Sequence, residues 1–395
     1  MKIKNLSFSV VVPFYNAMRT LTRCLDSLIN IDYPKKSFEV ILVNNSSTDS
    51  SLSIAENYPF KIITENRKNA YSARNHGIRE CENEIIAFTD ADCVVESQWL
   101  KMFSKSFEDD SVMGCGGEIY SYPPGNLIER YPISRGYHDN KGHLTSGLFF
   151  LPWIDTANSA YRREMFDDIG YFDDRNFEIA GDVDMSWRAC LYGFKFNYVP
   201  EARVAHINRG SLGNLLGQNY QYGCSSVRIR RKYKDFSYIG TASLDKMISP
   251  PGKVNLSGGF LNRVKEISDF ADIIYLGIDT LNTSVFYMGY LKEYLLPKKI
   301  SDEKNENEEL SPKPPDKGLV WWGDDDNLFL FDVKTHLNFR LNQTGAFMWQ
   351  KLRDGLSPEE VSILMSEKWG IAPEESKEDV LEFAIVLEKE GLLEL

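Results

Sequence analysis

Glu84-Ile85-Ile86-Ala87-Phe88-Thr89-Asp90-Ala91-Asp92-Cys93 is a short apolar run that ends abruptly in two acidic residues. A continuous apolar run of this length reads as a strand covered on both faces, the kind found in parallel α/β sheets. Asp90 and Asp92 are two apart, so along extended backbone they face the same way. They emerge at the carboxyl end of the strand, where open α/β sheets bind their ligands. Two hard oxygen donors there suit Mg2+ or Mn2+ better than zinc. A polar turn closing a strand is the alternative reading of the same pair.

Upstream, the same alternation recurs. Phe8 to Val12, Phe38 to Val43 and Phe60 to Thr64 read as strands. Leu21, Cys24, Leu25 and Leu28 have helical spacing, and Tyr71 to Glu80 continues the pattern as a helix. Strand–helix alternation predicts βαβ units, hence an α/β fold with a mostly parallel sheet and helices on both faces. Pro13, Asn44 and Asp90 all fall where strands stop. Residues 120–150, rich in Gly, Pro, Tyr and His, read as a long loop region. A helix is expected near Asp182 to Tyr192, closed by Gly193. An extended run from Phe196 to His206 follows, and helical patterns then resume to about residue 297.

The charged, proline-bearing run from Ser301 to Lys317 has too little apolar surface to order itself and reads as a linker. Beyond it the pattern restarts. Leu319 to Trp322, Leu328 to Val333 and Leu337 to Leu341 read as short strands. Three helices follow. The second opens on the capping box Ser357-Pro358-Glu359-Glu360, and the third carries Val380, Leu381, Ala384 and Leu387 and stops at Gly391. The expected division is 1–232, a helical extension at 233–300, the linker 301–317, and a small α+β domain at 318–395.

A formal charge of −12 disfavours non-specific nucleic-acid binding, because phosphate would repel the chain. Six scattered cysteines form neither a zinc framework nor a disulfide scaffold, so a reducing cytoplasm is expected. Met1 to Ser7 carries no apolar segment or cleavage pattern, so no signal peptide is expected. Ile273 to Leu296 is apolar but broken by Asp279, Asn282 and Lys292. It reads as a packed helix first and a membrane-surface helix second, with room for weak peripheral contact at the inner face of a membrane. The basic run Arg228, Arg230, Arg231 and Lys232 reads as a solvated helix face, with diphosphate or anionic lipid as the alternative.

Four segments together resemble the family 2 glycosyltransferases of the GT-A fold. They are Ser9-Val10-Val11-Val12-Pro13-Phe14-Tyr15-Asn16, Val43-Asn44-Asn45-Ser46-Ser47-Thr48-Asp49, the helix from Asn69 to Gly77, and Phe88 to Cys93. The resemblance implies a nucleotide-sugar donor. Pro13, Tyr15 and Asn44 would surround the base, with Asn16 and Asn45 in the same loops. Arg74 would lie near the nucleotide, Asp90 near the ribose, and Asp92 on Mn2+ or Mg2+. Asn44 stands where the family usually has an aspartate. An amide both donates and accepts, so it can still read uracil, and a UDP-sugar is expected first.

Thr156 to Arg163, Gly170 to Asp173 and Gly181-Asp182-Val183-Asp184-Met185-Ser186-Trp187-Arg188 resemble the family's acceptor side, with Gly181 replacing the usual glutamate. Asp182 is the candidate general base of an inverting transfer; capping of its own helix is the structural alternative. His206 resembles a histidine that completes the metal shell, or is a surface residue at a strand end. Residues Trp321 to Leu393 resemble the PqqD-like, winged-helix-type domains, which by that resemblance recognise leader segments of peptides. An extended peptide would add to the edge strand, with Leu337, Phe339, Leu341 and Phe383 as its platform.

The expected function is an inverting, metal-dependent glycosyltransferase whose acceptor is a ribosomally synthesised precursor peptide. Two alternatives are a glycosyltransferase acting on a lipid-linked or cell-surface glycan at the membrane, and a non-catalytic peptide carrier with a degenerate donor site.

Overall fold

The computed structural model describes residues 6–135, 137, 140–145, 151–233, 270–297, 319–323, 327–332, 338–389 and 392. The first part of the chain alternates strands β1 (Phe8–Phe14), β2 (Phe38–Asn44), β3 (Lys61–Thr64), β4 (Ile85–Thr89), β5 (Cys93–Val95) and β6 (Val112–Ser121) with helices α1 (Leu21–Ile29), α2 (Ser51–Ala55), α3 (Ala70–Arg79) and α4 (Trp99–Ser106). Helices α5 (Leu127–Arg135), α6 (Asn140–Thr145), α7 (Arg163–Ile169) and α8 (Gly181–Tyr192), with strands β7 (Asn158–Arg162) and β8 (Lys195–His206), complete the sheet region. Two long helices follow, α9 (Leu212–Lys232) and α10 (Phe270–Leu295).

Among the described residues these strands form one eight-stranded sheet in the order β3-β2-β1-β4-β7-β6-β8-β5. β1, β2, β3 and β4 pair in parallel, as do β6 and β8. β7 runs antiparallel between β4 and β6, and β5 runs antiparallel on β8. The alternation of side chains along each strand divides the apolar residues between two cores. Val11, Ile41, Val43, Ile86 and Phe88 face α3, α7 and α8. Val10, Val12, Leu42, Ile85 and Ala87 face α1 and α4. Both faces being covered explains why β4 has no polar residue until it ends. Gly77 lets α3 lie close on the sheet, because a Cβ there would run into Val11.

Residues 120–150 differ from the expected loop. α5 and α6 are helical, and α5 contains Pro132. Tyr131, fully buried on α5, donates to the buried Asp279 of α10 at 2.7 Å, and Arg135 clamps the same carboxylate at 2.9 and 2.7 Å. Packing against a helix distant in sequence overrides the weak local signal. α10 lies along α9 at close range, since a Cβ at Gly223 or Gly289 would strike the backbone of the facing helix. Among the described residues no helix is long and apolar enough to cross a membrane.

The C-terminal unit has β9 (Leu319–Gly323), β10 (Asn327–Asp332) and β11 (Asn338–Asn342) in an antiparallel sheet ordered β11-β10-β9. Helices α11 (Gln343–Arg353), α12 (Pro358–Trp369) and α13 (Pro373–Lys389) pack on it around the buried Trp349. The expected capping box is present: Ser357 Oγ accepts from Glu360 N, and the Glu360 carboxylate accepts from Ser357 N at 2.8 Å. The linker 301–317, most of the segment between α9 and α10, Leu337 and Gly391 lie outside the described residues.

Candidate active site

The parallel strands β1, β2 and β4 end together, so their closing residues share one edge of the sheet. Pro13 pairs in register with Val43, and Phe14 with Asn44. Tyr15 is exposed, with the Lys68 ammonium 5.6 Å from its ring centre. Asn16 takes a left-handed φ of 47° and accepts from the backbone N–H groups of Thr48 at 2.8 Å and Asp49 at 3.3 Å. It therefore ties the loop after β1 to the loop after β2. Asn44 is buried and its Oδ1 accepts from Ser47 N at 3.0 Å. Asn45 Nδ2 donates to Glu65 O at 3.2 Å and Arg67 O at 2.6 Å. The amides of Asn16 and Asn45 are thus engaged in shaping the loops, while the Asn44 side-chain carbonyl holds the loop after β2 through Ser47 N, three residues on.

Helix α3 organises the rest. Asn69 caps it, accepting from Tyr71 N at 2.7 Å and donating to Asp174 O and Phe177 O at 2.9 and 2.8 Å. Ser72 donates to Asp174 at 2.6 Å, and Asn75 exchanges two hydrogen bonds with the backbone of Phe172. Asn69, Ser72 and Asn75 therefore hold the segment that leads into α8. Arg74, buried, pairs through Nη2 with Asp90 Oδ1. Burial pushes the Asp90 carboxyl up, and Arg74 opposes that shift.

Asp92 and His206 meet because β5 and β8 pair with Cys93 opposite His206. Asp92 Oδ1 lies 3.6 Å from His206 Nε2, and Ile207 N donates to Asp92 O at 2.7 Å. Asp92, Cys93 and His206 present ligand atoms within 4.8 Å of one another. Cys93 is fully buried, and burial with the adjacent Asp92 and Asp90 charges drives its thiol well above the usual range. A protonated, buried sulfur is a poor ligand for a hard cation, so Asp92 and His206 are the donors that fit one.

Asp182 lies in the first turn of α8, just past Ala180, which holds a left-handed φ of 68°. The N-cap residue Ala180 makes no side-chain cap, and Asp182 is one of two acidic residues in the first turn. Its Oδ1 accepts from Tyr71 OH at 3.1 Å and Val183 N at 3.0 Å. Burial, then the neighbouring Asp155 charge, lifts its carboxyl to about 6; Arg74 and the two hydrogen bonds pull the other way. That value suits a proton acceptor near neutrality.

Asp155 was not singled out by the sequence. Its carboxylate accepts from Ala157 N at 2.9 Å, and its charge raises both Asp182 and Asp90. Only its place just before Thr156 hinted at it. Asp184 is structural. It is fully buried and bonded to Arg188 at 3.0 Å, Lys232 at 2.7 Å and Tyr233 at 2.9 Å. Burial would raise its carboxyl, yet Lys232 and Arg188 hold it below the ordinary value. Lys232 is thus spent on Asp184 and Asp173, and Arg228 on Glu293 at 2.9 Å and on Glu178. Arg228 is thus a buried brace, while Lys232 stays exposed as it pairs with these carboxylates.

Comparison with known proteins agrees with this architecture. Residues 9–170 match the glycosyl transferase family 2 model, and residues 327–393 match that of coenzyme PQQ synthesis protein D. The chain is 27% identical over 229 residues to glycosyltransferase AglE of Haloferax volcanii, spanning 56% of this chain and 73% of that protein. It is 26% identical over 235 residues to a pre-mycofactocin glycosyltransferase of Mycobacterium tuberculosis, spanning 58% of this chain and 48% of that protein. Among solved structures it is similar to a mannosyltransferase of Pyrobaculum calidifontis in complex with GDP-Man and Mn2+. That likeness has 19% identity and a TM-score of 0.50, over 74% of this chain and 88% of the other. The family matches give this chain a glycosyl transferase family 2 domain at residues 9–170 and a PqqD domain at residues 327–393.

Proposed function

We propose that this protein moves a sugar, with inversion at the anomeric carbon, from a nucleoside-diphosphate sugar to a peptide acceptor captured by its PqqD domain. The observation that carries the reading is Asp182. It is a carboxyl lifted to about 6, joined through Tyr71 and Arg74 of one helix to Asp90 at the strand ends. In the reaction the acceptor's O–H, S–H or N–H proton passes to the Asp182 carboxylate. The freed electron pair bonds to the anomeric carbon. The carbon–oxygen bond to the diphosphate breaks, and the nucleoside diphosphate leaves with that bond's electrons. Direct displacement by one nucleophile inverts the centre.

On the donor side, Pro13, Tyr15 and Asn44 would frame the base, with Arg74 and Asp90 beside the ribose and phosphates. Asp92 and His206 would hold a divalent cation, which supplies charge neutralisation at the diphosphate when bound. The imidazole favours Mn2+ over Mg2+, because Mg2+ prefers an all-oxygen shell. A UDP-sugar is the first donor to test.

On the acceptor side, β11 is an edge strand of its sheet among the described residues, the position at which an extended peptide would add. Phe339, Leu341 and Phe383 lie partly buried on the domain core, and Leu381, Ile385 and Val386 of α13 are exposed apolar neighbours. We assign 1–232 to catalysis, 233–300 to a helical extension, 301–317 to a tether and 318–395 to peptide capture. A tether raises the local concentration of acceptor at Asp182. The test is mass spectrometry of candidate precursor peptides incubated with the full chain and a panel of UDP- and GDP-sugars. A truncation after residue 317 should bind donor yet lose peptide binding; equal peptide glycosylation by that truncation would sink the capture reading.

One observation favours a second reading. Leu281, Met288, Leu291 and Leu295 are exposed and fall on one face of α10. A face of that kind suits a membrane surface and a lipid-linked acceptor. Flotation with anionic vesicles, abolished by Met288→Glu with Leu291→Glu, would support it; no flotation by the parent chain would remove it.

A further inference from the structure

Gly181 is buried, and its Cα faces the ring of Tyr71. A Cβ built there would lie 2.7 Å from Tyr71 Cε2 and 2.8 Å from Cδ2. The space a side chain at 181 would need is therefore filled by a residue of α3. The tyrosine ring is fixed on its other sides as well. It stacks on Phe172 with centroids 5.3 Å apart, and the Arg74 guanidinium lies 5.4 Å from its centre. Only its hydroxyl is committed to polar contact, and it donates to Asp182.

We propose that Tyr71 is the positioning residue of the Asp182 carboxylate, and that Gly181 is a glycine because Tyr71 occupies the space beside it. The proposal rests on the reading of Asp182 as the base. Three physical points support it. First, Asp182 belongs to a helix that starts from a left-handed alanine whose side chain makes no cap, and the local backbone holds its carboxylate by one hydrogen bond, from Val183 N. Second, the hydroxyl donates to Oδ1, which orients the carboxylate and leaves Oδ2 as the oxygen not used by either hydrogen bond described. Third, Tyr71 and Arg74 are three apart on one face of α3. One helical turn thus steers the donor-side Asp90 and the acceptor-side Asp182 together.

The charged and titratable groups acting on Asp182 are Asp155 before β7, Arg74 and Tyr71 on α3, Tyr161 on β7 and Tyr222 on α9. Among them Tyr71 is the one whose side chain hydrogen-bonds it. A hydroxyl donated to the ionised carboxylate favours the charged form, so its removal moves the proton affinity upward.

The experiment uses the full chain with carboxyl-13C aspartate, with Asp182 assigned by the signal lost in Asp182→Asn. Tyr71→Phe keeps the ring against Phe172 and Gly181 and removes only the hydroxyl. Its Asp182 midpoint should rise by about half a pH unit or more, the equivalent of one ordinary hydrogen bond; an unmoved midpoint overturns the positioning role. Gly181→Ala should lower the melting temperature in the parent chain and have a smaller effect in a Tyr71→Ala background. Equal effects in both backgrounds overturn the steric half. Failure of the underlying reading looks different. If Asp182→Asn consumes donor in the presence of acceptor as fast as the parent chain, Asp182 is not the base, and Tyr71 loses its catalytic meaning whatever its effect on titration.

Discussion

Asn75 and Phe172, ninety-seven residues apart, satisfy each other's amides: Phe172 N donates to Asn75 Oδ1 at 3.0 Å, and Asn75 Nδ2 donates to Phe172 O at 2.9 Å. Both lie buried, so neither group can turn to water instead. This reciprocal pair, with Asn69 and Ser72 on the same helix, is what hangs the segment before Asp182 from α3. Asn75→Ala leaves the buried N–H of Phe172 unpaired, while Phe172 O keeps Asp174 N as a donor, and should cost on the order of 1–3 kcal/mol in urea unfolding. A loss below about 0.5 kcal/mol would mean the segment is held by other contacts.

Arg74 and Asp90 form an unequal pair, with the arginine side chain 6% exposed and the aspartate side chain 30%. Asp90→Asn strands a buried guanidinium and should cost about 3 kcal/mol, the lower end for breaking a buried ion pair. Arg74→Met leaves a carboxylate that still reaches solvent and should cost less. A double-mutant cycle by chemical denaturation checks the order, and the reverse order would contradict this account of the pair.

The Asp182 carboxyl stands at about 6 in the folded chain against an ordinary value of 3.8. Between those values the folded state binds more protons than the unfolded one, so stability falls as pH rises from about 4 to about 6 and stays lowered above. Asp182→Asn removes that penalty. The variant should gain up to about 2–3 kcal/mol over the parent at pH 7.5 and nearly nothing at pH 3.5. Unfolding curves that run parallel across this range would show that Asp182 titrates normally.

Asp92 and His206 are brought together by the β5–β8 register. Asp92→Asn and His206→Ala should each weaken Mn2+ binding by at least about tenfold in electron paramagnetic resonance titrations. Asp182→Asn should leave Mn2+ binding as it was. Chelation should abolish sugar transfer, and Mn2+ should restore it better than Mg2+. Unchanged Mn2+ affinity in both ligand variants would place the ion elsewhere.

Much was legible in the linear chain because it is local. The apolar run of β4 and the acidic pair at its end, the strands β1 and β2, the helix α3 and the Ser357 capping box are all written within a few residues, in periodicity and capping chemistry. The order of those segments pointed to the fold, and the fold predicted that Pro13, Asn44 and Asp90 share a sheet edge, as they do. What tertiary structure decided are pairings between residues far apart. Antiparallel β7 entered the sheet between β4 and β6, α5 became helical through Tyr131 and Asp279, and Asp155 reached the site from a loop. The resemblance puts a glutamate at Gly181, whereas the ring of Tyr71 fills the space a side chain there would need. Sequence spacing carries the backbone's local preferences, whereas register, burial and the close approach of distant side chains set which groups share a proton or a charge.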